Sequence, residues 1–165
     1  MALVAANAAL KTFSACSTTL FFKMFVTLSI QGGKSFDAGV RPPEDNKFNR
    51  EGMPTQNYGL AGGDSNENQS QAVLKAKEVD FRWRRIVQND LENIPIGLAV
   101  MLGSVLVGGH ETANIVFMSA FTGARIAHTY SYANQMQPHR AIFWSLGQLC
   151  VLGSGLNGVI SFIIG

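Results

Sequence analysis

The sequence has few charged residues for its length. Charged side chains make up 15% of its 165 residues, whereas soluble domains average about 25%, and hydrophobic residues make up 47%. The cations concentrate between residues 31 and 86, and the long apolar stretches elsewhere hold few of them. The formal net charge is only +2, which falls short of the basic surface typical of nucleic-acid binding. We therefore expect a membrane protein with lipid, but no nucleic acid, among its partners.

Cysteine is also scarce, which excludes a disulfide-rich fold. The two cysteines, Cys16 and Cys150, both fall in segments that we predict to be apolar helices. There we expect them to pack as small apolar side chains, without forming a disulfide. No spacing of cysteine and histidine resembles a metal site, so we expect no bound metal.

Four segments are predicted to span a membrane, and the first of them, residues 3–30, has the roughly 20 mostly apolar residues that a bilayer-spanning helix needs. The first carries Lys11 and Lys23 and has no clear cleavage site, so we expect a retained helix rather than a signal peptide. Lys23 is expected to reach an interface or to face the bundle interior. Gln31-Gly32-Gly33 is expected to end this helix. We predict one all-α domain over residues 1–165, a bundle of four transmembrane helices with spans at about 3–30, 86–107, 111–134 and 139–164.

A long polar loop, about 31–75, separates the first two spans and is rich in residues that favour turns. We expect a turn at Arg41-Pro42-Pro43-Glu44-Asp45, an ordered first part, and a flexible part at Asn57–Gln71. The second helix is expected to begin near Gln71. Because this loop and the connection that holds Arg140 carry most of the loop cations, the positive-inside rule places both in the cytosol.

Polar residues recur near one end of three predicted helices. Within each group the spacing is three or four residues, so its members share one helical face. Since neighbouring helices run antiparallel, the groups are expected to converge at one depth, close to Lys34 and Asp45 of the loop. Charged groups there either join helices by polar contacts or line a site for a ligand with more negative than positive groups. The groups are Arg85, Asn89 and Glu92, then Arg125, His128 and Tyr132, and then Arg140, Trp144 and Gln148.

Three motifs resemble those of one family. They are Arg85-x-x-x-Asn89-Asp90-x-Glu92, Gly123-Ala124-Arg125-Ile126-Ala127-His128-Thr129-x-x-Tyr132 and Gln137-Pro138-x-Arg140-Ala141. Together with Pro43-Glu44-Asp45 in the loop, they resemble the MAPEG family of membrane glutathione enzymes over nearly the whole chain. The microsomal glutathione transferase branch is the most similar, and the microsomal prostaglandin E synthase branch comes next.

The resemblance implies a homotrimer in the endoplasmic reticulum, that is, a microsomal protein, or in the outer mitochondrial membrane. Each glutathione site would lie between helices of neighbouring subunits. Glutathione carries two carboxylates and one ammonium, so it suits a cation-rich site that also holds a carboxylate. The resemblance assigns contacts with glutathione to Lys34, Arg85, Gln88, Asn89, Glu92, His128, Tyr132, Arg140 and Trp144.

The expected reaction is attack by the glutathione thiolate on an apolar electrophile that arrives from the bilayer. A thiol with a pKa of about 8.5 is mostly protonated at neutral pH, so the site must stabilise the thiolate. Arg140, at the start of the fourth helix, is the expected stabilising group, and Tyr132, Arg125 and Asp45 are further catalytic candidates. Arg125 is alternatively a structural partner of Glu92 or Asp45. Thiolate attack on oxygen would also reduce lipid hydroperoxides, which is a glutathione peroxidase activity.

Three alternatives to the transferase stay open. A prostaglandin-E-synthase-like, glutathione-dependent isomerase would share the fold, but Ala141 stands where that branch has a serine and Gln88 where it has a second arginine. A non-catalytic membrane adaptor would not need Arg140 and Tyr132. A small channel or transporter would need polar residues along the whole depth of the bundle, whereas here they cluster at one end.

Overall fold

The computed structural model describes residues 8–60 and 71–164, and within these ranges the chain is helical and has no strand. This confirms the predicted all-α class. In chain order the elements are α1 (Ala8–Asp37), a 3₁₀ helix (Pro43–Phe48), α2 (Gln71–Leu106), α3 (Glu111–Ala133) and α4 (His139–Ile164).

Two of the described helices, α1 and α4, are long and apolar enough to cross a membrane. Large apolar side chains of α4, such as Leu149, Leu152 and Ile163, are exposed on the chain surface, as expected for a helix that faces lipid. The apolar part of α2, residues 94–107, is shorter than the roughly 20 residues that a bilayer needs, and α3 carries many polar residues. Two helices thus have the length and composition to cross a membrane, whereas the four-span bundle stays a prediction.

The predicted end of the first helix at Gln31-Gly32-Gly33 is wrong, because α1 continues to Asp37. Neither glycine has a positive φ, and a glycine inside a helix costs only about 1 kcal/mol relative to alanine. The chain leaves the helix at Gly39, whose φ of 68° is the left-handed conformation that glycine adopts readily. The predicted start of this helix, at residue 3, lies outside the described residues.

The chain divides into two compact units. Of the described residues, 8–24 and 89–164 form what we call the helical unit, and 25–60 and 71–88 form the loop unit. The predicted single domain over residues 1–165 stays a prediction.

In the helical unit, two glycines let helices approach aromatic rings of α3. A Cβ added at Gly153 of α4 would lie 2.6 Å from Phe117 Cζ, and one at Gly97 of α2 would lie 2.6 Å from Phe121 Cζ. Real Cβ atoms essentially never make contacts that short, so these positions accept no larger side chain without movement. Small residues at such interfaces are typical of membrane helices. The buried core around them is Ala9, Leu20, Ile94, Met101, Val105, Met118, Phe121 and Cys150.

In the loop unit, Asp80 of α2 joins the end of α1 to α2. Asp80 is 3% exposed and accepts a hydrogen bond from Ser35 Oγ at 2.7 Å. Its second oxygen pairs with Arg84 Nε at 2.7 Å, and Gln31 Nε2 donates to Ser35 Oγ at 2.7 Å. These contacts involve residues on both sides of the two glycines, which gives a tertiary reason for the helix to continue through them.

The first part of the loop is ordered around the side chain of Gln56, which is fully buried. Its Oε1 accepts from the backbone N–H of Arg41 at 3.1 Å, and its Nε2 donates to the carbonyl oxygen of Phe36 at 3.1 Å. The backbone N–H of Gln56 in turn donates to Asn46 Oδ1 at 2.7 Å. The buried Gln56 amide thus connects the end of the loop's first part with residues 36–46 through hydrogen bonds. The predicted turn at 41–45 leads into the 3₁₀ helix.

The ordered part of the loop extends to Leu60. The backbone N–H of Tyr58 donates to the carbonyl oxygen of Arg41 at 2.9 Å, and that of Asn57 to Gly39 at 3.3 Å. The structure therefore differs from the predicted flexible segment at residues 57–60. The remainder of that prediction, residues 61–70, lies outside the described residues.

Candidate functional site

Tyr132 brings together predicted site residues of α3 and α4. The guanidinium carbon of Arg140 lies 4.5 Å from the centre of the Tyr132 ring. The His128 ring, one turn earlier on α3, meets Tyr132 edge-on, with 5.7 Å between ring centres and an interplanar angle of 78°. Three predicted residues from two helices therefore lie side by side.

Arg140 lies in the first turn of α4, which begins at His139 and has no acidic residue in that turn. The positive end of a helix dipole favours anions, so a cation placed there adds to the positive potential instead of offsetting it. The Tyr132 ring, whose face is electronegative, stabilises the cation in this position. Because the N–H groups of guanidinium lie in its plane, stacking on its face leaves them able to donate to an anion.

Arg125 of α3 is fully buried, at 0% exposure. Its Nη2 donates to Asp90 Oδ1 at 2.6 Å and to Asn89 Oδ1 at 2.7 Å, both on α2. Lys23 of α1 donates to the second oxygen of Asp90. Two cations thus share one buried carboxylate in the helical unit; Lys23, Asp90 and Arg125 are called the buried triad below.

The triad differs from the sequence prediction for Arg125. The expected ion-pair partner was Glu92 or Asp45, and the structure pairs Arg125 with Asp90 instead. The alternative, a catalytic role for Arg125, stays a prediction. Asp90 was not selected because it lies off the helical face that carries Asn89 and Glu92. Of the two alternatives for Lys23, the structure supports the bundle interior, where its side chain is 9% exposed.

Three buried nitrogen atoms of Arg125 and His128 have no hydrogen-bond partner within the described part of the chain. They are Nε and Nη1 of Arg125 and Nδ1 of His128. Buried nitrogen atoms are usually paired, so these three are exceptions among the described residues.

Gln148, the third polar residue of the predicted α4 group, contacts α2. Its Nε2 donates to Asn93 Oδ1, and Asn93 Nδ2 donates to the carbonyl oxygen of Asn89 at 2.6 Å. Glu92 and Trp144 are exposed on the chain surface, Trp144 to 43%. Asn93 was missed by sequence analysis because one asparagine on a polar helix turn carries no distinctive pattern.

Lys34 and Asp45 both line a cavity of about 720 Å³ in the loop unit. Asp45 Oδ2 accepts from Arg41 Nε at 2.8 Å, and Lys34 Nζ lies 3.3 Å from Asp37 Oδ2. The Arg41 guanidinium also lies 4.9 Å from the centre of the Phe36 ring. Each of these two predicted residues thus has a partner of opposite charge at the cavity wall.

Arg85 and Gln88, also of the loop unit, contact each other along α2. Arg85 Nη1 donates to Gln88 Oε1 at 3.2 Å, and both side chains are exposed. Within residues 8–60 and 71–164 no group of three or more histidine, cysteine, aspartate or glutamate side chains could hold a metal ion. Cys16 and Cys150 are free cysteines.

Comparison with known proteins gives one family over most of the chain. The model of the MAPEG family matches residues 13–159. The chain is 35% identical over 88 residues to microsomal glutathione S-transferase 1 of Rattus norvegicus, which covers 53% of this chain and 56% of that protein. It is 39% identical over 75 residues to the protein of the same name from Sus scrofa, covering 45% and 48%. The chain thus matches about half the length of these relatives.

Proposed function

The chain belongs to the MAPEG family, and from this membership we propose that it is a membrane-bound glutathione transferase, which conjugates the glutathione thiolate to apolar electrophiles. The observation that carries the proposal is the position of Arg140, in the first turn of α4 and over the ring of Tyr132, which also contacts His128. Partial relatives named microsomal glutathione S-transferase 1 support the choice of substrate.

Arg140 is assigned to the thiolate. A positive charge next to a thiol lowers its pKa, because it favours the anionic form. The dipole of α4 acts in the same direction. The Tyr132 ring positions the Arg140 guanidinium, and its hydroxyl group is proposed as a second polar group next to the glutathione sulfur. No nucleophilic residue of the protein is required, since glutathione itself supplies the sulfur.

The remaining predicted residues are assigned to binding. Cations at Lys34 and Arg85 suit the two carboxylates of glutathione, and Glu92 suits its ammonium. Asn89, Gln88, His128 and Trp144 complete the proposed contact set, and Asp45 is proposed to assist the thiol. We further propose four membrane spans with loops one and three in the cytosol, and a homotrimer of the endoplasmic reticulum with its sites between neighbouring subunits. The exposure of Glu92 and Trp144 on one chain fits that assembly.

The second substrate is proposed to enter from the bilayer. Apolar side chains cover the outside of α4, including Leu146, Leu149 and Leu152, so an apolar electrophile dissolved in lipid would reach the protein without crossing water. A lipid hydroperoxide has the same access. Its reduction would oxidise two glutathione molecules to the disulfide and release the alcohol and water.

The proposal is tested with protein purified in detergent. Conjugation of glutathione to 1-chloro-2,4-dinitrobenzene is measured as turnover, and thiolate formation is followed by ultraviolet absorbance in the same sample. Turnover together with a thiolate signal is the expected result. A thiolate signal without turnover would favour the glutathione-dependent isomerase or a selective peroxidase. Folded protein that binds no glutathione would contradict the proposal and favour the non-catalytic adaptor.

A further inference from the structure

We propose that Arg125 is a positioning residue that holds the side-chain amide of Asn89 in the orientation that donates to glutathione. This inference rests on the proposed function, in which Asn89 contacts glutathione. It replaces the expectation that Arg125 itself acts on the reacting atoms.

Arg125 lies beneath the surface of the described chain. The residue is 0% exposed and its Nη2 is already shared between Asp90 and Asn89, at 2.6 and 2.7 Å. Asn89 is half-buried, so it connects the buried guanidinium to the surface of the helical unit. A residue that acts on the ligand through Asn89 fits this arrangement better than one that touches the ligand.

The hydrogen bond from Arg125 fixes the orientation of the Asn89 side-chain amide, with Oδ1 directed toward Arg125. Guanidinium only donates, so it selects Oδ1 of Asn89, which only accepts. Nδ2, which donates, must then project in the other direction. An amide held in this orientation presents N–H groups, which suit the carboxylates and carbonyl oxygens of glutathione, whereas a free amide would present either end.

Asp90 and Lys23 explain how the cation stays in place. Asp90 bonds Arg125 through one oxygen and Lys23 through the other. Removal of either cation leaves one cation and one carboxylate, which is a neutral buried pair. Removal of Asp90 would instead leave two buried cations without a counter-charge. Arg125 and Lys23 can therefore be substituted singly and compared, because both changes leave the same net charge.

The experiment compares Arg125→Met with Lys23→Met as its matched control. Both remove one buried cation, but only the first removes the hydrogen bond to Asn89. For Arg125→Met we expect the Kd and KM for glutathione to rise about tenfold, with kcat changed less than about twofold. Lys23→Met should leave both constants within about twofold of the wild type. Arg125→Lys, which keeps a donor at this place, should recover part of the affinity.

A double-mutant cycle with Asn89→Ala decides whether Arg125 acts through Asn89. If it does, Arg125→Met should have no further effect on the Kd for glutathione once Asn89 is alanine. An equal tenfold loss in both backgrounds would overturn the inference, and so would an equal loss in Lys23→Met, because that would indicate a general effect on folding. A fall in kcat at unchanged Kd would also overturn it.

Direct measurement of glutathione binding separates this inference from the proposed function. If the wild type binds glutathione but does not conjugate it, the transferase proposal fails, and the Kd values of the variants still test Arg125. If the folded wild type binds no glutathione, both proposals are overturned. Thermal unfolding of each variant in detergent verifies that the compared proteins are folded.

Discussion

Arg140 stacks its guanidinium on the ring of Tyr132, with the guanidinium carbon 4.5 Å from the ring centre. The two residues lie on either side of the short connection between α3 and α4, so the stack joins the end of one helix to the start of the next. It also keeps a cation at the positive end of the α4 dipole, where charge alone would disfavour it. The contact therefore holds a positive potential ready for an anionic ligand.

Substitution of Arg140 by alanine should reduce catalysis more than binding. We expect kcat for conjugation to fall about 100-fold, as when one group that stabilises a developing anion is removed. The Kd for glutathione should rise less than about tenfold, because other cations also bind its carboxylates. Steady-state kinetics and the ultraviolet thiolate signal measure the two effects. Arg140→Lys keeps the charge and should retain more activity; equal losses in both variants would mean that charge is not the relevant property.

The pH dependence of kcat should report the bound glutathione thiol. The thiolate is the reactive form, so the rate rises with pH and reaches half of its maximum at the pKa of the bound thiol. A cation next to the thiol favours the thiolate, so this midpoint should lie below the value of about 8.5 of a free thiol. In Arg140→Ala it should move upward. A midpoint that is the same in both proteins would exclude Arg140 as the stabilising group.

Substitution of Asp90 by asparagine should destabilise the helical unit. The change keeps the shape of the side chain but leaves Lys23 and Arg125 without their shared carboxylate, and breaking a buried pair in this way costs about 3 kcal/mol. Asp37→Asn is the control, because its pair with Lys34 is exposed to 41% and 47% and is expected to contribute less than about 1 kcal/mol. Thermal unfolding in detergent compares them. Equal midpoints would show that the triad adds nothing to stability.

Substitution of Gln56 by alanine should loosen the first part of the loop. The change removes the hydrogen bonds to the backbone N–H of Arg41 and the carbonyl oxygen of Phe36. Both groups are part-buried, so each lost bond is expected to cost about 1 kcal/mol. Hydrogen–deuterium exchange over residues 36–60 should become at least about tenfold faster. Gln71→Ala at the exposed start of α2 serves as the control and should leave exchange in this segment unchanged. Slow exchange in Gln56→Ala would mean that backbone contacts alone order the loop.

Substitution of Gly153 by alanine should separate α4 from α3. The added methyl group would lie 2.6 Å from the Phe117 ring, and overpacking of this kind costs about 1–3 kcal/mol. Gly103→Ala is the control, since no atom lies within 4 Å of its added Cβ and alanine favours a helix. The thermal unfolding midpoint should fall in Gly153→Ala and should stay the same or rise in Gly103→Ala. A stable Gly153→Ala would indicate that the Phe117 ring can move away.

The sequence predicted the helices well where local pattern decides them. The starts of α2, α3 and α4 coincide with the predicted ones, since turn residues and apolar periodicity mark them. The end of α1 was missed at Gly32-Gly33, because a glycine pair favours a break only when no tertiary contact holds the helix together. Here Ser35 and Asp80 provide such a contact. The two residues are 45 positions apart in the sequence, so a local pattern cannot predict that they pair.

The candidate site was predictable only where its residues follow a local spacing along one helix. Spacing on α3 selected His128 and Tyr132, which lie together, and the start of α4 selected Arg140. The spacing on α2 selected the helical face of Asn89 and Glu92. Asp90 lies off that face and was not selected, yet it forms the centre of the buried triad. Gln56 was also missed, because a single glutamine in a polar loop has no distinctive neighbours in sequence.

The buried triad also bears on how the chain is assembled during synthesis. The ribosome releases the Lys23 cation first, the Asp90 carboxylate 67 residues later and the Arg125 cation 35 residues after that. A lone charge in an apolar helix is costly, and pairing removes much of that cost. Biosynthetic order therefore favours a hairpin of α1 with α2 as the earliest neutral intermediate, to which α3 is added last. A chain with the carboxylate encoded after both cations would have no such intermediate until all three helices had been made.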